Sequence, residues 1–220
     1  MGATHKRDLR SGPSIWQQRP LPGVPEKRLA GDTLCDVLIV GAGISGALAA
    51  EQLTDAGLSV VVIDRRGAVR GSTLASTALL QYEIDTPLSK LAKRIGVARA
   101  ERIWRRSKLA LDTLRERTRR LGIKAACAEK SSLYLEGGVL DRAGLRAEAE
   151  ARRRAGFEVR LLSAEEVRRE YGIPGRSGLL GYNNLQANPR RLAMGFLRVA
   201  LARRAPLCAG GGPLDRKSVV

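Results

Sequence analysis

The sequence predicts an α/β protein built on a parallel sheet, and three observations carry that reading. Between Asp36 and Asp64 the chain reads DVLIVGAGISGALAAEQLTDAGLSVVVID, two short β-branched apolar runs around a glycine turn and a helix-length segment. Beyond it, helical apolar periods are interspersed with short strand-like runs. At 220 residues and 44% hydrophobic, the chain has enough apolar material to bury a core in one or two domains.

The elements follow in order. Val37-Leu38-Ile39-Val40 reads as a parallel strand covered on both faces. Gly41 permits the tight turn, Gly43 lets the backbone approach a pyrophosphate, and Gly46 lets the following helix pack closely on the sheet. That helix runs from Ile44 to about Ala56, with its free amides and positive dipole end facing the turn; Gly57 stops it. Val60 to Ile63 is the second strand, and Asp64 stands at its carboxyl end, where a carboxylate can accept hydrogen bonds from a ribose diol. A GxGxxG with a strand before it, a helix after it and an acid at the end of the second strand marks a dinucleotide site of Rossmann type.

Residues 1–33 read as a polar leader in which Pro20, Pro22 and Pro25 forbid continuous helix. Arg65 to Asp85, dense in Gly, Ser and Thr, reads as a long loop over the site. Thr86-Pro87 opens a short helix with Leu88, Leu91 and Ile95 on one face, ended by Gly96. A longer helix spans about Ala98 to Leu121, with Ile103, Ala110, Leu111, Leu114 and Leu121 as its apolar stripe and Trp104 at the edge of that stripe. Ser132 to Glu136 alternates like a strand. Asp141 caps a helix to Ala155, the strand Phe157 to Leu161 follows, and Ser163-Ala164-Glu165-Glu166 is a capping box for a helix reaching Tyr171. Gly178 to Leu185 is another strand. Asn188-Pro189 opens a helix that turns Leu192, Phe196, Val199 and Ala200 inward and ends near Arg204. In residues 205–220 Pro206 and Gly210-Gly211-Gly212-Pro213 continue neither element type, so no strand is expected there. These residues read as an irregular, non-native tail left by a truncated or frame-shifted coding sequence, with a flexible tail as the other reading.

Composition narrows the function classes. The formal net charge of +17 comes mostly from arginine, and basic residues sit at i,i+4 from acids: Glu101 with Arg105, Glu116 with Arg120, Glu148 with Arg152, Glu150 with Arg154. That spacing suits solvated helix faces. Aromatics are only 4%, which leaves little material for base stacking. No specific nucleic-acid binding is therefore expected. Cys35, Cys127 and Cys208 are too far apart for metal spacing or a disulfide framework, and His5 is the only histidine; no metal site is expected. The N-terminus lacks the apolar core of a secretory signal, Lys6 stands where a myristoylation signal wants Ser or Thr, and no apolar run approaches the ~20 residues of a membrane span. A cytoplasmic location is the expectation.

The order of motifs resembles the FAD-dependent oxidoreductases of the D-amino-acid oxidase, glycine oxidase and sarcosine oxidase type. DVLIVGAGISGALAAEQL…VVVIDRR is similar to that family's flavin fingerprint, and GSTLASTALLQYEID to the loop passing the pyrophosphate and flavin ring. SSLYLEGG…L…E…RRAGFEVRLLSAEEV resembles the first crossing into the substrate domain, and GLLGYNNLQANPRRLAMGFLRVA the return strand and helix. LRSGPSIW is similar to leaders of some bacterial members. The likeness covers about Leu9 to Arg204.

The resemblance implies FAD as cofactor. Gly41, Gly43 and Gly46 with the amides of Ile44 and Ser45 would cradle the pyrophosphate. Asp64 would hold the adenosine ribose, with Arg65 or Arg66 beside the adenosine half. Ser72 and Thr73 would donate to phosphate or ribityl oxygens, and Ser76 and Thr77 would lie near the flavin ring; Tyr82 and Glu83 could face the substrate pocket, or sit in the core or at the surface. The implied fold is a Rossmann-like FAD domain over 34–125, a partial mixed-sheet substrate domain over 126–187 and a returning helix over 188–204. The implied reaction is oxidation of the C–N bond of an amino acid or secondary amine by hydride transfer to flavin, with oxygen or another acceptor taking the electrons. Family members are longer, and the arginine and tyrosine that clamp a substrate carboxylate lie beyond the matched part. The chain is thus expected to be an N-terminal fragment, and its catalytic residues are not assigned. An NAD(P)-dependent dehydrogenase is one alternative; a fragment that binds nothing, or presents only a basic nucleic-acid-binding surface, is the other.

Overall fold

The computed structural model describes residues 13–29 and 31–209. The expectations for His5, Lys6, Leu9 to Gly12 and Gly210 onward lie outside them. The chain divides into two compact units. The first takes the described residues to Thr77, Ile123–Ala125 and those from Asn188; the second takes Ala78–Gly122 and Ala126–Ala187. Among the described residues no helix is long and apolar enough to cross a membrane.

The first unit is a parallel sheet. Strand β1 (Val37–Val40) pairs with β2 (Val60–Asp64) in the register Val37↔Val60 to Val40↔Ile63, joined by helix α1 (Ile44–Asp55). Every apolar residue of β2 is buried. β1 differs from the two-sided burial its sequence suggests: it stands at the sheet's edge, and Leu38 (37%) and Val40 (73%) are exposed.

A second correction concerns the end of the chain. Helix α6 (Pro189–Ala202) is capped by Asn188 and followed by strand β7 (Leu207–Ala209), which pairs parallel to β2 and completes the order β1-β2-β7. The tail is therefore not irregular as far as Ala209. Pro206 does not prevent the strand because only its carbonyl is needed, accepting from the Val62 amide at 3.0 Å. Leu207 and Cys208 are buried. α6 and α1 pack together, and Arg203 reaches the buried Glu51 (2.8 Å) and Asp55 (2.9 Å).

In the second unit an antiparallel sheet of β3 (Leu79–Leu80), β6 (Gly178–Gln186) and β4 (Ala128–Leu135), with β5 (Val159–Leu162) also on β6, is accompanied by α2 (Leu88–Ile95), α3 (Val97–Arg120), α4 (Arg142–Arg154) and α5 (Ala164–Tyr171). Residues 78–122 cluster here and not with the dinucleotide unit, as the 34–125 span would have it. The reason is a shared core of Tyr82, Leu88, Ala100, Trp104, Leu111, Ala151, Ala155 and Phe157. Tyr82 stacks on Phe157 at 5.2 Å and meets Trp104 edge-on at 6.3 Å. The buried stripe of α3 is rotated from the expected one: Ala100, Trp104, Leu111 and Thr118 face inward and Ile103 outward. The bulkiest side chain sets the rotation, because burying Trp104 removes more apolar surface than burying Ile103.

The ion pairs also divide. Glu101–Arg105 is a surface pair as read, and Glu116 bonds Arg119 with the Arg120 charge also acting on it. Glu148 and Arg152 are not solvated but fully buried. Glu148 accepts from the Leu88 and Ser89 amides at the start of α2 (2.9 and 2.7 Å) and from Arg152 Nε (2.7 Å). A carboxylate there satisfies orphan amides and the helix dipole together.

Candidate dinucleotide site

The glycine turn is built as its residue types require. Gly41 has φ +114°, a conformation open only to glycine, and its amide donates to Ile63 O at 2.7 Å. A Cβ on Gly46 would overlap the Gly41 carbonyl oxygen and lie 3.2 Å from Ile39 Cγ2, so only glycine lets α1 start this close to β1. A Cβ on Gly43 would meet the Thr73 hydroxyl at 3.1 Å.

Asp64 anchors the turn. Its Oδ2 accepts from the Ala42 amide and its Oδ1 from the Arg66 amide, both at 2.8 Å. The Val69 amide closes the circuit to Ala42 O at 3.0 Å. Each carboxylate oxygen keeps a second lone pair for a further donor. The Ala42 amide, which ties Asp64 to the turn, carries no signal in its side chain and was missed.

Thr73 belongs to a 3-10 turn, Ser72–Ala75, and is buried. Its Oγ1 accepts from the Ile44 amide at 3.0 Å, which places a neutral hydroxyl at the N-terminus of α1. A hydroxyl that receives one proton can donate its own to an acceptor beyond. The amides of Ser45 and Gly46 precede the first i→i−4 bond of the helix, Ala47 to Gly43 O. Ser72, Ser76 and Thr77 are exposed on the same loop. Arg65 and Arg66 are exposed after β2 and line, with Arg70, Glu26 and Ala209, a cavity of about 610 Å³. A Cβ on Gly71 would lie 2.7 Å from Arg66 Nη2. The structure thus brings together three sets: Gly41, Ala42 and Asp64; Gly43, Ile44 and Thr73; Arg66 and Gly71. Glu26 is the other residue missed, since nothing in a polar leader marks one acid out.

In the second unit a cavity of about 480 Å³ is lined by Glu83, Ser132, Arg152 and Asn184 among others. Glu83 Oε1 accepts from Ser132 Oγ at 2.5 Å and lies 3.7 Å from Arg152 Nη1. Tyr82 is in the aromatic core, and burial, with Glu83 nearby, pushes its hydroxyl up to about 12. It stays a neutral phenol.

Comparison with known proteins agrees with this geometry. Residues 36–210 match the DAO family, described as FAD dependent oxidoreductase. Among solved structures, the chain is similar to an L-amino acid deaminase from Proteus vulgaris (18% identity, TM-score 0.64, 90% of this chain and 50% of that one). It is also similar to a glycine oxidase from Geobacillus kaustophilus (23%, TM-score 0.57, 79% and 46%). Among curated proteins, flavin-containing amine oxidase B from Rattus norvegicus is 59% identical over 39 residues, 18% of this chain and 8% of that protein. The chain spans about half the length of these structural neighbours and far less of the curated relative. With the family match covering most of the chain and the glycine turn, Asp64 and α1 formed as a dinucleotide requires, the chain belongs to the DAO family of FAD-dependent oxidoreductases.

Proposed function

We propose that this chain supplies the FAD-binding part of an enzyme that oxidises the C–N bond of an amino acid or secondary amine. The observation that carries the reading is the Thr73–Ile44 hydrogen bond. It brings the hydroxyl-rich loop onto the start of α1, beside the turn anchored by Asp64.

The residues fit the cofactor. Gly41, Gly43 and Gly46 leave the backbone bare, the Ser45 and Gly46 amides point from the first helical turn, and Thr73 and Ser72 add neutral donors for pyrophosphate oxygens. Asp64 would accept from the adenosine ribose through its remaining lone pairs, with Arg65 or Arg66 along the adenosine half. Ser76 and Thr77 would lie toward the flavin ring. When bound, FAD supplies the hydride acceptor, and the protein supplies orientation and electrostatics. Its family relationship and its likeness to a glycine oxidase and an L-amino acid deaminase support a small amine or amino acid as substrate.

The test is direct. The 220-residue chain is purified, its visible spectrum recorded, and FAD titrated. Flavin absorbance that co-purifies, or saturable binding of added FAD, is expected. A folded chain that ignores FAD but binds NAD(P) would replace the reading with a dehydrogenase.

A further inference from the structure

The family match begins at residue 36, yet residues 13–29 are built into the first unit along its length. A 3-10 turn, Ile15–Gln17, is capped by Ser14. Ser14 Oγ donates to Leu74 O at 2.5 Å, and Trp16 Nε1 donates to Ser76 O at 3.0 Å. Arg190 of α6 holds the carbonyls of Trp16 and Arg19 (3.4 and 3.2 Å). Val24 is buried. Glu26 Oε1 accepts from the Ala68 amide at 2.7 Å, and its carboxylate lies where a Cβ on Gly67 would be, 2.6 and 2.7 Å from the two oxygens. Lys27 then bridges β7 as a parallel partner of Cys208, through Lys27 N to Leu207 O and Ala209 N to Lys27 O, both 2.9 Å.

We infer that residues 13–29 are a strap that pre-forms the cofactor site, with Ser14, Trp16 and Glu26 as positioning residues. The inference rests on the FAD reading above. The two loops that reading needs are both held by this one segment. Ser14 and Trp16 hold the 72–77 loop, which carries Thr73, Ser76 and Thr77; Glu26 holds the 65–70 loop, which carries Arg65 and Arg66. Neither loop has a sheet ladder of its own, and the only regular element in the 72–77 loop is the short 3-10 turn, Ser72–Ala75. Fixing them before the ligand arrives removes an ordering cost from binding. Glu26 suits its place for a second reason: a carboxylate accepting an amide proton makes a charge-assisted bond, stronger than a neutral one.

The experiment uses the full chain and the variants Trp16→Phe, Ser14→Ala, Glu26→Ala and Glu26→Gln. Binding of FAD and of ADP is measured for each, and amide exchange is followed by mass spectrometry without ligand. Trp16→Phe and Ser14→Ala are expected to weaken FAD about 3- to 10-fold and ADP by a smaller factor, since the affected loop faces the flavin half, which ADP lacks, as well as the pyrophosphate, which both ligands carry. Glu26→Ala is expected to weaken FAD and ADP alike by about tenfold, and Glu26→Gln, which keeps an acceptor, to restore most of it. Exchange should rise at 72–77 in the first pair and at 65–70 in Glu26→Ala. A general folding defect would instead lower both ligands by the same factor in every variant, Trp16→Phe and Ser14→Ala included, and overturn the strap. Unchanged exchange, or FAD affinity equal to wild type in all variants, overturns the strap and leaves the FAD reading standing. Failure of the wild-type chain to bind FAD overturns both, and altered exchange would then mark only a structural contact.

Discussion

Replacing Gly46 by alanine places a methyl group into the Gly41 carbonyl oxygen, well inside the 3.0 Å that real Cβ atoms essentially never breach, with the Gly41 carbon at 3.1 Å and Ile39 Cγ2 at 3.2 Å. The obstacle is backbone, so no rotamer change relieves it, and α1 must move off the turn. Overpacking of this kind costs about 1–3 kcal/mol, and a backbone obstacle belongs at the upper end. Alanine recovers up to about 1 kcal/mol of helix propensity at this position. A net loss of about 2 kcal/mol is expected, lowering the melting midpoint by roughly 4–8 °C for a chain of this size. FAD affinity should fall further than stability alone requires, because the displaced amides of Ser45 and Gly46 are the ones proposed to face the pyrophosphate, and the Ile44 amide that holds Thr73 moves with them. The assay is a thermal melt followed by far-UV dichroism, paired with an FAD titration at 20 °C below the mutant midpoint. Gly43→Ala is the internal control: its Cβ meets only a hydroxyl at 3.1 Å, which can yield by a few tenths of an ångström, and its cost should be about 1 kcal/mol or less. Gly46→Ala melting within a degree of wild type, with equal FAD affinity, would refute the close approach of helix and turn.

Other outcomes follow from the same geometry. Thr73→Val removes the acceptor for the Ile44 amide and should cost about 1 kcal/mol in stability and several-fold in FAD affinity, while Thr73→Ser retains both; denaturation and titration check this. Glu148 is held below the ordinary carboxylate value of 4.5: burial works to raise it, but hydrogen bonds from Ser89 and the Arg152 charge outweigh it. Its stabilisation is therefore complete above the ordinary value and is lost as pH falls through the depressed one. Glu148→Ala should cost about 3–5 kcal/mol at pH 7, because the buried Arg152 loses its Nε partner and is left with Glu83 at 3.7 Å while the Leu88 and Ser89 amides lose their acceptor, and the gap to wild type should narrow steadily below 4.5 in urea melts. Cys208 is buried in β7, so a thiol reagent should label it only after unfolding, while the exposed Cys127 reacts in the native chain. Rapid native labelling of Cys208 would contradict the strand.

Much of the local structure was legible because it depends on residues close together in sequence. The caps at Asp141, Ser163 and Asn188 each accept from the expected amide. Gly96 ends its helix with φ +86°. At the site, Gly41 and Gly46 are forced by conformations and clearances that no other residue meets, so the motif carries its own geometry. Legibility failed where partners lie far apart. The Glu148–Arg152 spacing is identical to that of the surface pair Glu101–Arg105, and nothing local says that one is buried beneath the start of α2.

The sequence by itself determined the βαβ unit and its glycine turn, because period, glycine placement and a terminal acid are short-range constraints; the family came from the resemblance of the motif order, which the family match over residues 36–210 bears out. Only the tertiary structure decided that Leu207–Ala209 is a strand, since three residues have no strand propensity worth reading until β2 offers its edge. Only the tertiary structure, likewise, showed Thr73 at the start of α1 and residues 13–29 clasping both loops. Those contacts span 29, 42 and 60 residues of chain, and their worth comes from closing loops that no local pattern encodes.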